Sequence, residues 1–195
     1  QVLAQGPNRL ATQRLVTIRL KQERPEEALS LLRDWLAAHP EDHRMRLRLA
    51  SLLQDRGELA EAGAAYEAVR KAGQGGAGVW NNLAWIYHQQ GDERALRYAR
   101  KAHELAPENP AITDTYGWIL LQGGQHRKAL RLLQEAAIHA PHRPAIRYHL
   151  GVALWKNGRT EAARKELEEV LANDGGFAKA DEARQALEAM WTGSD

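Results

Sequence analysis

Hydrophobic and polar positions follow each other along this chain with the period of an amphipathic helix. Near the middle, Ile112, Tyr116 and Leu120 fall on one helical face, and the turn residue Gly124 follows them. A second amphipathic segment begins there, and Pro141 follows its last turn. The same pattern predicts helices over residues 10–21, 43–56, 58–72, 78–90, 92–105, 111–122, 125–139, 145–157, 160–172 and 178–191.

Glycine recurs at an interval of about 34 residues, which is typical of a repeated two-helix unit. The series contains Gly57, Gly91, Gly124 and Gly158, and Glu23 occupies the corresponding position one unit earlier. An alanine follows each of these positions after four or five residues. The interval predicts five units, the third one residue short, at residues 9–42, 43–76, 77–109, 110–143 and 144–177.

Small residues recur on the first helix of each unit, at Ala50, Ala84, Gly117 and Gly151. Without bulk at these points, the two helices of a unit are expected to approach closely. One such pair cannot bury its own apolar face, so neighbouring units must stack. The repeat therefore predicts an elongated helical array.

The two ends of the chain fall outside the repeat pattern. Residues 178–191 predict one more amphipathic helix, whose expected role is to cap the apolar end of the last unit. Residues 1–8 are expected to be the tail of a preceding segment, and residues 192–195 a free C-terminus. Because the first residue is Gln1 and not methionine, we expect this chain to be part of a longer protein.

The composition narrows the classes of function. Alanine and leucine far outnumber valine, isoleucine and threonine, which favours helix over sheet. No apolar run approaches the roughly 20 residues of a transmembrane helix. The net charge is +2, and arginine and glutamate alternate along the helices, so a nucleic-acid partner is not expected. Cysteine is absent, which excludes disulfides and thiolate sites.

The pattern of large and small residues in the third unit is similar to that of the tetratricopeptide repeat, at Trp80, Leu83, Ala84, Tyr87, Gly91, Ala95, Ala102 and Pro107. The resemblance covers residues 9–177. It implies an all-α superhelix, or α-solenoid, of five helix-turn-helix repeats plus a C-terminal capping helix. It also implies a non-catalytic interaction scaffold that binds a protein or peptide segment in its concave groove.

A narrower resemblance concerns residues 81–110, 111–121 and 145–154. These stretches are similar to the C-terminal repeats of exosortase/PEP-CTERM-associated tetratricopeptide repeat lipoproteins, which are bacterial envelope proteins linked to exopolysaccharide production. The resemblance implies a periplasmic or envelope-attached location. Without it, a cytoplasmic location stands, so the compartment remains open at this point.

Motifs for catalysis or cofactor binding have ordinary structural interpretations. Gly73, Gly75 and Gly78 match the glycine spacing of a dinucleotide-binding loop, but a predicted helix precedes them where that loop needs a strand. We interpret them as a turn between repeats. The histidines lack the spacing of converging metal ligands, so no metal site is predicted. No nucleophile, base and orienting group come together, so neither an enzyme nor a cofactor is expected.

The six tryptophans divide into two groups. Trp35, Trp80 and Trp191 are predicted to be packing residues, since the first two fall on buried helix faces and the third lies at the edge of the apolar side of the capping helix. The other three, Trp85, Trp118 and Trp155, lie off the core face of their helices. In the repeat family these positions line the concave groove.

The resemblance implies a groove stripe in units three to five at Asn81, Trp85, His88, Asp114, Trp118, Tyr148 and Trp155. Flanking candidates are Asn82, Gln89, Thr115, Gln122, His149 and Lys156. Tryptophan and tyrosine are favoured anchors of binding surfaces, so we expect these aromatics to contact a ligand. Packing of the same aromatics between repeats is the alternative. A second functional hypothesis is oligosaccharide or exopolysaccharide binding, because tryptophan faces stack on sugar rings.

Overall fold

A computed structural model describes residues 8–173 and 177–192 of the chain. All regular structure in these ranges is α-helical, and the predicted all-α superhelix is confirmed. The helices are α1 Arg9–Lys21, α2 Pro25–Ala38, α3 His43–Asp55, α4 Leu59–Lys71, α5 Gly76–Gln89, α6 Arg94–Leu105, α7 Pro110–Gln122, α8 His126–His139, α9 Pro144–Lys156, α10 Thr160–Asn173 and α11 Ala180–Thr192.

The predicted helix ranges agree with the structure to within two residues at each end, apart from one omission. They leave out α2, which begins at Pro25, a residue suited to the first helical turn because no amide there needs a partner. The predictions for the chain ends concern mainly residues 1–7 and 193–195, which lie outside the described residues. Residues 174–176 of the predicted fifth unit lie outside the described ranges, and its predicted last residue, Phe177, falls in the connection between α10 and α11.

Consecutive helices pack as pairs, α1 with α2 through α9 with α10, and each second helix also contacts the first helix of the next pair. Stacking is therefore continuous along the array. The first helices of successive pairs also contact each other, from α5 to α7 and from α7 to α9. These first helices crowd together on the inner, concave side of the superhelix, and the second helices lie on the outer, convex side.

The repeat turns need a left-handed backbone. The glycines of the series have φ angles of 76°, 68°, 75° and 74° at Gly57, Gly91, Gly124 and Gly158. Glu23, the residue at the glycine position of the first turn, has the same conformation with φ 57°. A side chain is disfavoured there. Equal geometry despite the different residue identifies this turn as part of the same repeat pattern.

The missing residue of the third unit is absorbed at the start of α6. The amide of Ala95 bonds the carbonyl of Asp92 three residues back at 3.1 Å, whereas Ala62 bonds Glu58 four residues back. The Asp92 carboxylate accepts from the backbone amide of Arg94 at 2.9 Å. Hydrogen bonds from the side chain and amide of Arg94 lower the pKa of Asp92 to about 2. The shorter unit thus keeps its contacts with both neighbours.

The last helix packs against the end of the array. Ala183 and Met190 of α11 are buried in the same hydrophobic cluster as Leu167 of α10. This contact is the one expected of a capping helix. The predicted packing role of Trp191 is wrong, however, because its side chain is 70% exposed and carries the Arg164 guanidinium 4.2 Å above its ring.

The helices of a pair approach most closely at two glycines. A Cβ atom added at Gly117 would lie 2.8 Å from Cγ of Leu133, and one added at Gly151 would lie 2.8 Å from Cγ of Leu167. Both leucines are fully buried, so neither has free space to move into. This confirms the packing role predicted for Gly117 and Gly151.

We expect Gly117→Ala to lower the free energy of unfolding by about 1–3 kcal/mol, because the new methyl group overpacks the core against Leu133. The matched control is Gly78→Ala in α5, where nothing lies within 4 Å of the new Cβ. Removing a helical glycine there should raise the free energy of unfolding by up to about 1 kcal/mol. Urea unfolding of both variants checks the opposite signs, and equal effects would contradict the close-contact explanation.

Candidate ligand-binding groove

The thirteen candidate groove residues all lie on the first helices α5, α7 and α9, but they differ in exposure. Those exposed to solvent are Gln89, Gln122 and Lys156. The half-buried members are Asn81, Asn82, Trp85, His88 and Trp155. The buried members are Asp114, Thr115, Trp118, Tyr148 and His149. The concave face is therefore closed near its centre and open on either side.

A hydrogen bond between two side chains joins α7 to α9 at the closed centre. Nδ1 of His149 lies 2.8 Å from Oδ1 and 3.0 Å from Oδ2 of Asp114, and both side chains are buried. The Trp118 ring stacks on the His149 ring with a centroid distance of 4.1 Å. These contacts hold the neighbouring first helices together on the concave side.

The expectation of an open ligand surface is wrong for the five buried candidates, Asp114, Thr115, Trp118, Tyr148 and His149. Trp118 is only 7% exposed and Tyr148 only 5% exposed, because neighbouring repeats and the last part of the chain cover them. The Thr115 hydroxyl donates to the carbonyl of Ala111, one turn back in its own helix, at 2.9 Å. For this central part of the stripe, the alternative of packing between repeats is the correct one.

A segment beyond the repeats covers this centre, and we call residues 177–182 the covering segment. The Phe177 ring lies 5.8 Å from the Tyr148 ring, and the Lys179 ammonium lies 5.4 Å and 5.5 Å from the rings of Trp118 and Tyr148. The Glu182 carboxylate accepts from the Tyr148 hydroxyl and from Lys179, both at 3.1 Å. The chain therefore occupies the middle of its own concave face.

The ionisable groups at this contact respond to their surroundings. Burial raises the pKa of the Tyr148 hydroxyl, and its bond to Glu182 raises it further. Burial opposes ionisation of Glu182, but the hydrogen bonds from Lys179 and Tyr148 hold the pKa of this carboxyl below its ordinary value. Glu182 is thus charged at neutral pH and anchors the Lys179 ammonium over the aromatic rings.

Two aromatic positions remain accessible at the edges of the closed centre. The ring centroids of Trp85 and His88 lie 5.9 Å apart. Burial lowers the pKa of His88, and the nearby charge of Lys179 lowers it further. His88 is therefore a neutral imidazole at pH 7. On α9, the Lys156 ammonium lies 4.7 Å from the Trp155 ring. Each edge thus presents an aromatic face beside a polar or cationic group.

The sequence pattern predicts no groove role for Phe177, Lys179 or Glu182. The helical period gives no information about them, since they belong to the connection after the last repeat and the start of α11. One signal was present: Phe177 is the only phenylalanine of the sequence and lies outside the apolar pattern of the predicted helices. An aromatic residue between two helices indicates a contact elsewhere on the surface.

The sequence also raised a glycine motif, histidine clusters and the question of a membrane-spanning helix. Gly73 and Gly75 of the glycine motif lie in the turn between α4 and α5, as predicted, and Gly75 has a left-handed conformation immediately before the helix. Gly78 lies in the first turn of α5. No group of three or more potential metal ligands converges within residues 8–173 and 177–192. Within the same residues, no helix has the length and apolar character needed to cross a membrane.

Three sequence models described as tetratricopeptide repeat match residues 14–77, 77–109 and 120–187. No curated protein matches the sequence.

Solved structures with the same fold include YrrB, described as a tetratricopeptide repeat protein with an unusual peptide-binding site. It has 17% identity and a TM-score of 0.67, over 92% of this chain and 93% of YrrB. A thermophilic tetratricopeptide repeat protein from Thermus thermophilus, TTC0263, has 20% identity and a TM-score of 0.66, over 93% and 97%. The APC/C hetero-tetramer Cut9-Hcn1 has 17% identity and a TM-score of 0.81, but only 36% of that chain is covered, against 94% of this one. At these identities the similarity shows the fold alone.

We expect Trp118→Ala to lower the free energy of unfolding by about 3–5 kcal/mol, because it leaves a cavity beside His149 in the closed centre. Trp85→Ala serves as the comparison, since its half-buried ring leaves a smaller cavity and should lower the free energy of unfolding by less than half as much. Chemical unfolding followed by circular dichroism measures both. A Trp118→Ala protein as stable as wild type would contradict the buried position of this ring.

Proposed function

Because this chain is an array of tetratricopeptide repeats, we propose that it is a non-catalytic scaffold that binds a polypeptide segment on the concave face of α5, α7 and α9. Such repeats are typically protein interaction modules and not enzymes. The observation that carries the proposal is the covering segment, a stretch of polypeptide already bound on the aromatic residues of this face.

The covering segment indicates what the concave face accepts. Lys179 places its ammonium over the faces of Trp118 and Tyr148, which attract a cation through the negative potential of the rings. Phe177 adds a ring-to-ring contact with Tyr148. A partner segment that carries aromatic and basic side chains would make the same contacts with the aromatic residues that remain accessible.

The accessible residues provide matching contacts on both sides of the covering segment. Trp85 and Trp155 offer half-buried rings, which lose the remaining water on their surface when a ligand side chain covers them. The exposed amides of Gln89 and Gln122 can bond the backbone of an extended peptide. These contacts suit a polypeptide, which brings side chains and backbone groups to the groove together.

An unpaired acceptor adds to this support. Oδ1 of Asn81 is buried and has no hydrogen-bond partner among the described residues. A buried polar atom without a partner costs about 1–3 kcal/mol. A ligand amide that reached Asn81 after a small movement of its side chain would recover that energy. YrrB, which has the same fold, is described as having a peptide-binding site, and this is consistent with a peptide ligand.

The test begins with selection of a binding peptide from a phage-displayed library of random sequences, followed by titration of its synthetic copy. We expect Trp85→Ala and Trp155→Ala each to weaken binding by about thirtyfold, because loss of an anchoring tryptophan commonly removes about 2 kcal/mol of binding energy. Trp191→Ala is the matched control, since Trp191 is exposed on the cap, away from the groove residues. It should bind as wild type.

Two results would contradict this proposal. One is a selected peptide that binds both groove variants as tightly as wild type. The other is an absence of peptide binders together with saturable binding of acidic or acetylated oligosaccharides, measured by tryptophan fluorescence. That second result would favour the carbohydrate hypothesis for the same aromatic residues.

We also propose an envelope setting for the longer protein, on the sequence resemblance of residues 81–110, 111–121 and 145–154 to envelope lipoprotein repeats. The full reading frame tests it directly. A signal peptide with a lipid-modified cysteine upstream of Gln1 supports this setting, and fractionation of the full-length protein with the cytoplasm contradicts it.

A further inference from the structure

A separate cavity of about 490 Å³ opens on the outer face between α4, α5 and α6. Trp80 and Tyr98 form its aromatic base, and Arg70, Arg97 and Arg100 surround that base. None of these residues belongs to the concave groove. We propose that this cavity is a second binding site, which takes an acidic segment of a partner polypeptide.

The aromatic base is held rigidly from below. The rings of Trp80 and Tyr98 lie 4.9 Å apart, and the Arg70 guanidinium lies 5.2 Å from the Trp80 ring. The Glu67 carboxylate accepts from the Tyr98 hydroxyl at 2.9 Å and from the Tyr87 hydroxyl at 2.7 Å. A surface fixed in this way loses little conformational freedom when a ligand binds.

The arginines around the base differ in whether a carboxylate compensates their charge. Arg70 pairs with Glu67 at 2.8 Å, so its charge is compensated within the protein. Arg97 lies 5.5 Å from the Tyr98 ring, and neither it nor Arg100 has a carboxylate partner among residues 8–173 and 177–192. Both are exposed. Two guanidinium groups at the opening are thus available to an anion.

The equivalent positions at the next two junctions between repeats fill themselves. At the next junction, His103 and Thr113 occupy the positions of Arg70 and Trp80. The Thr113 hydroxyl oxygen lies 3.3 Å from Nδ1 of His103. At the junction after that, Arg147 occupies the position of Trp80 and pairs with Glu166, the equivalent of Tyr98, at 3.6 Å. The open basic cavity at the junction of the second and third repeats is therefore not repeated at the next two junctions.

The surrounding surface favours an acidic polypeptide over a nucleic acid. The residues that correspond to Arg100 in the next two repeats are Gln134 and Glu168, and those that correspond to Lys101 are Glu135 and Glu169. The position of Arg97 stays basic, at Arg131 and Lys165, but these acidic neighbours interrupt it, so the outer face carries no continuous basic stripe. Glu104 at the edge of the cavity lies 3.3 Å from Lys101, so this pair adds no net charge to the opening. The carboxylates of an acidic segment match the planar fork of the two remaining arginines.

Fluorescein-labelled hexaglutamate is the probe, and its binding is followed by fluorescence anisotropy at low ionic strength. We expect the double variant Arg97→Gln/Arg100→Gln to weaken binding by about tenfold, because it removes both unpaired guanidinium groups. The matched control is Arg127→Gln/Arg131→Gln on α8, which makes the same change of net charge at exposed arginines outside the cavity. The control should bind as wild type.

Equal weakening in the two double variants would overturn the proposal, since it would mean attraction by overall charge and not by this cavity. No binding of hexaglutamate to the wild-type protein would also overturn it. So would tighter binding of hexathymidylate that depends on Arg97 and Arg100. The groove variant Trp85→Ala should retain the full affinity for hexaglutamate. The proposal for this cavity and the proposal for the concave groove are therefore tested independently.

Discussion

The close approach of the two helices in each repeat determines the rest of the structure. At Gly117 the space that a Cβ would occupy lies 2.8 Å from Leu133, and the same relation holds between Gly151 and Leu167. Two helices joined this tightly form a thin layer with an apolar face on each side. Only another such layer can bury that face, so the array must stack, and its last face is covered by α11.

The curvature of the stack explains why its two surfaces differ. On the concave side the first helices approach one another, from α5 to α7 and from α7 to α9. Inward-facing residues there contact each other, as Asp114 and His149 do, and the covering segment closes the remaining space. On the convex side the second helices diverge, so a junction stays open unless its residues fill it. The pairing of Arg147 with Glu166 closes one junction, and the tilted rings of Trp80 and Tyr98 form the base of a cavity at another.

The sequence predicted most of the fold because the repeat is local. The glycine series, the small residues and the turn at Glu23 follow from backbone geometry that recurs in every unit. The groove was predicted less completely. The period places Trp118 on the concave face, but Phe177 and Lys179, which cover it, lie beyond α10, the last helix of the repeats. Burial of this kind depends on contacts between a periodic array and a segment outside the period.

The closed centre and open edges of the concave face are tested most directly by ¹⁹F NMR of the protein labelled with 5-fluorotryptophan. Each of the six resonances is assigned with a Trp→Phe variant, and a soluble gadolinium chelate then broadens each according to its exposure. We predict the strongest broadening for Trp191, intermediate broadening for Trp85 and Trp155, and little for Trp118, which follows their exposure in the structure. Broadening of Trp118 equal to that of Trp191 would contradict the covered groove.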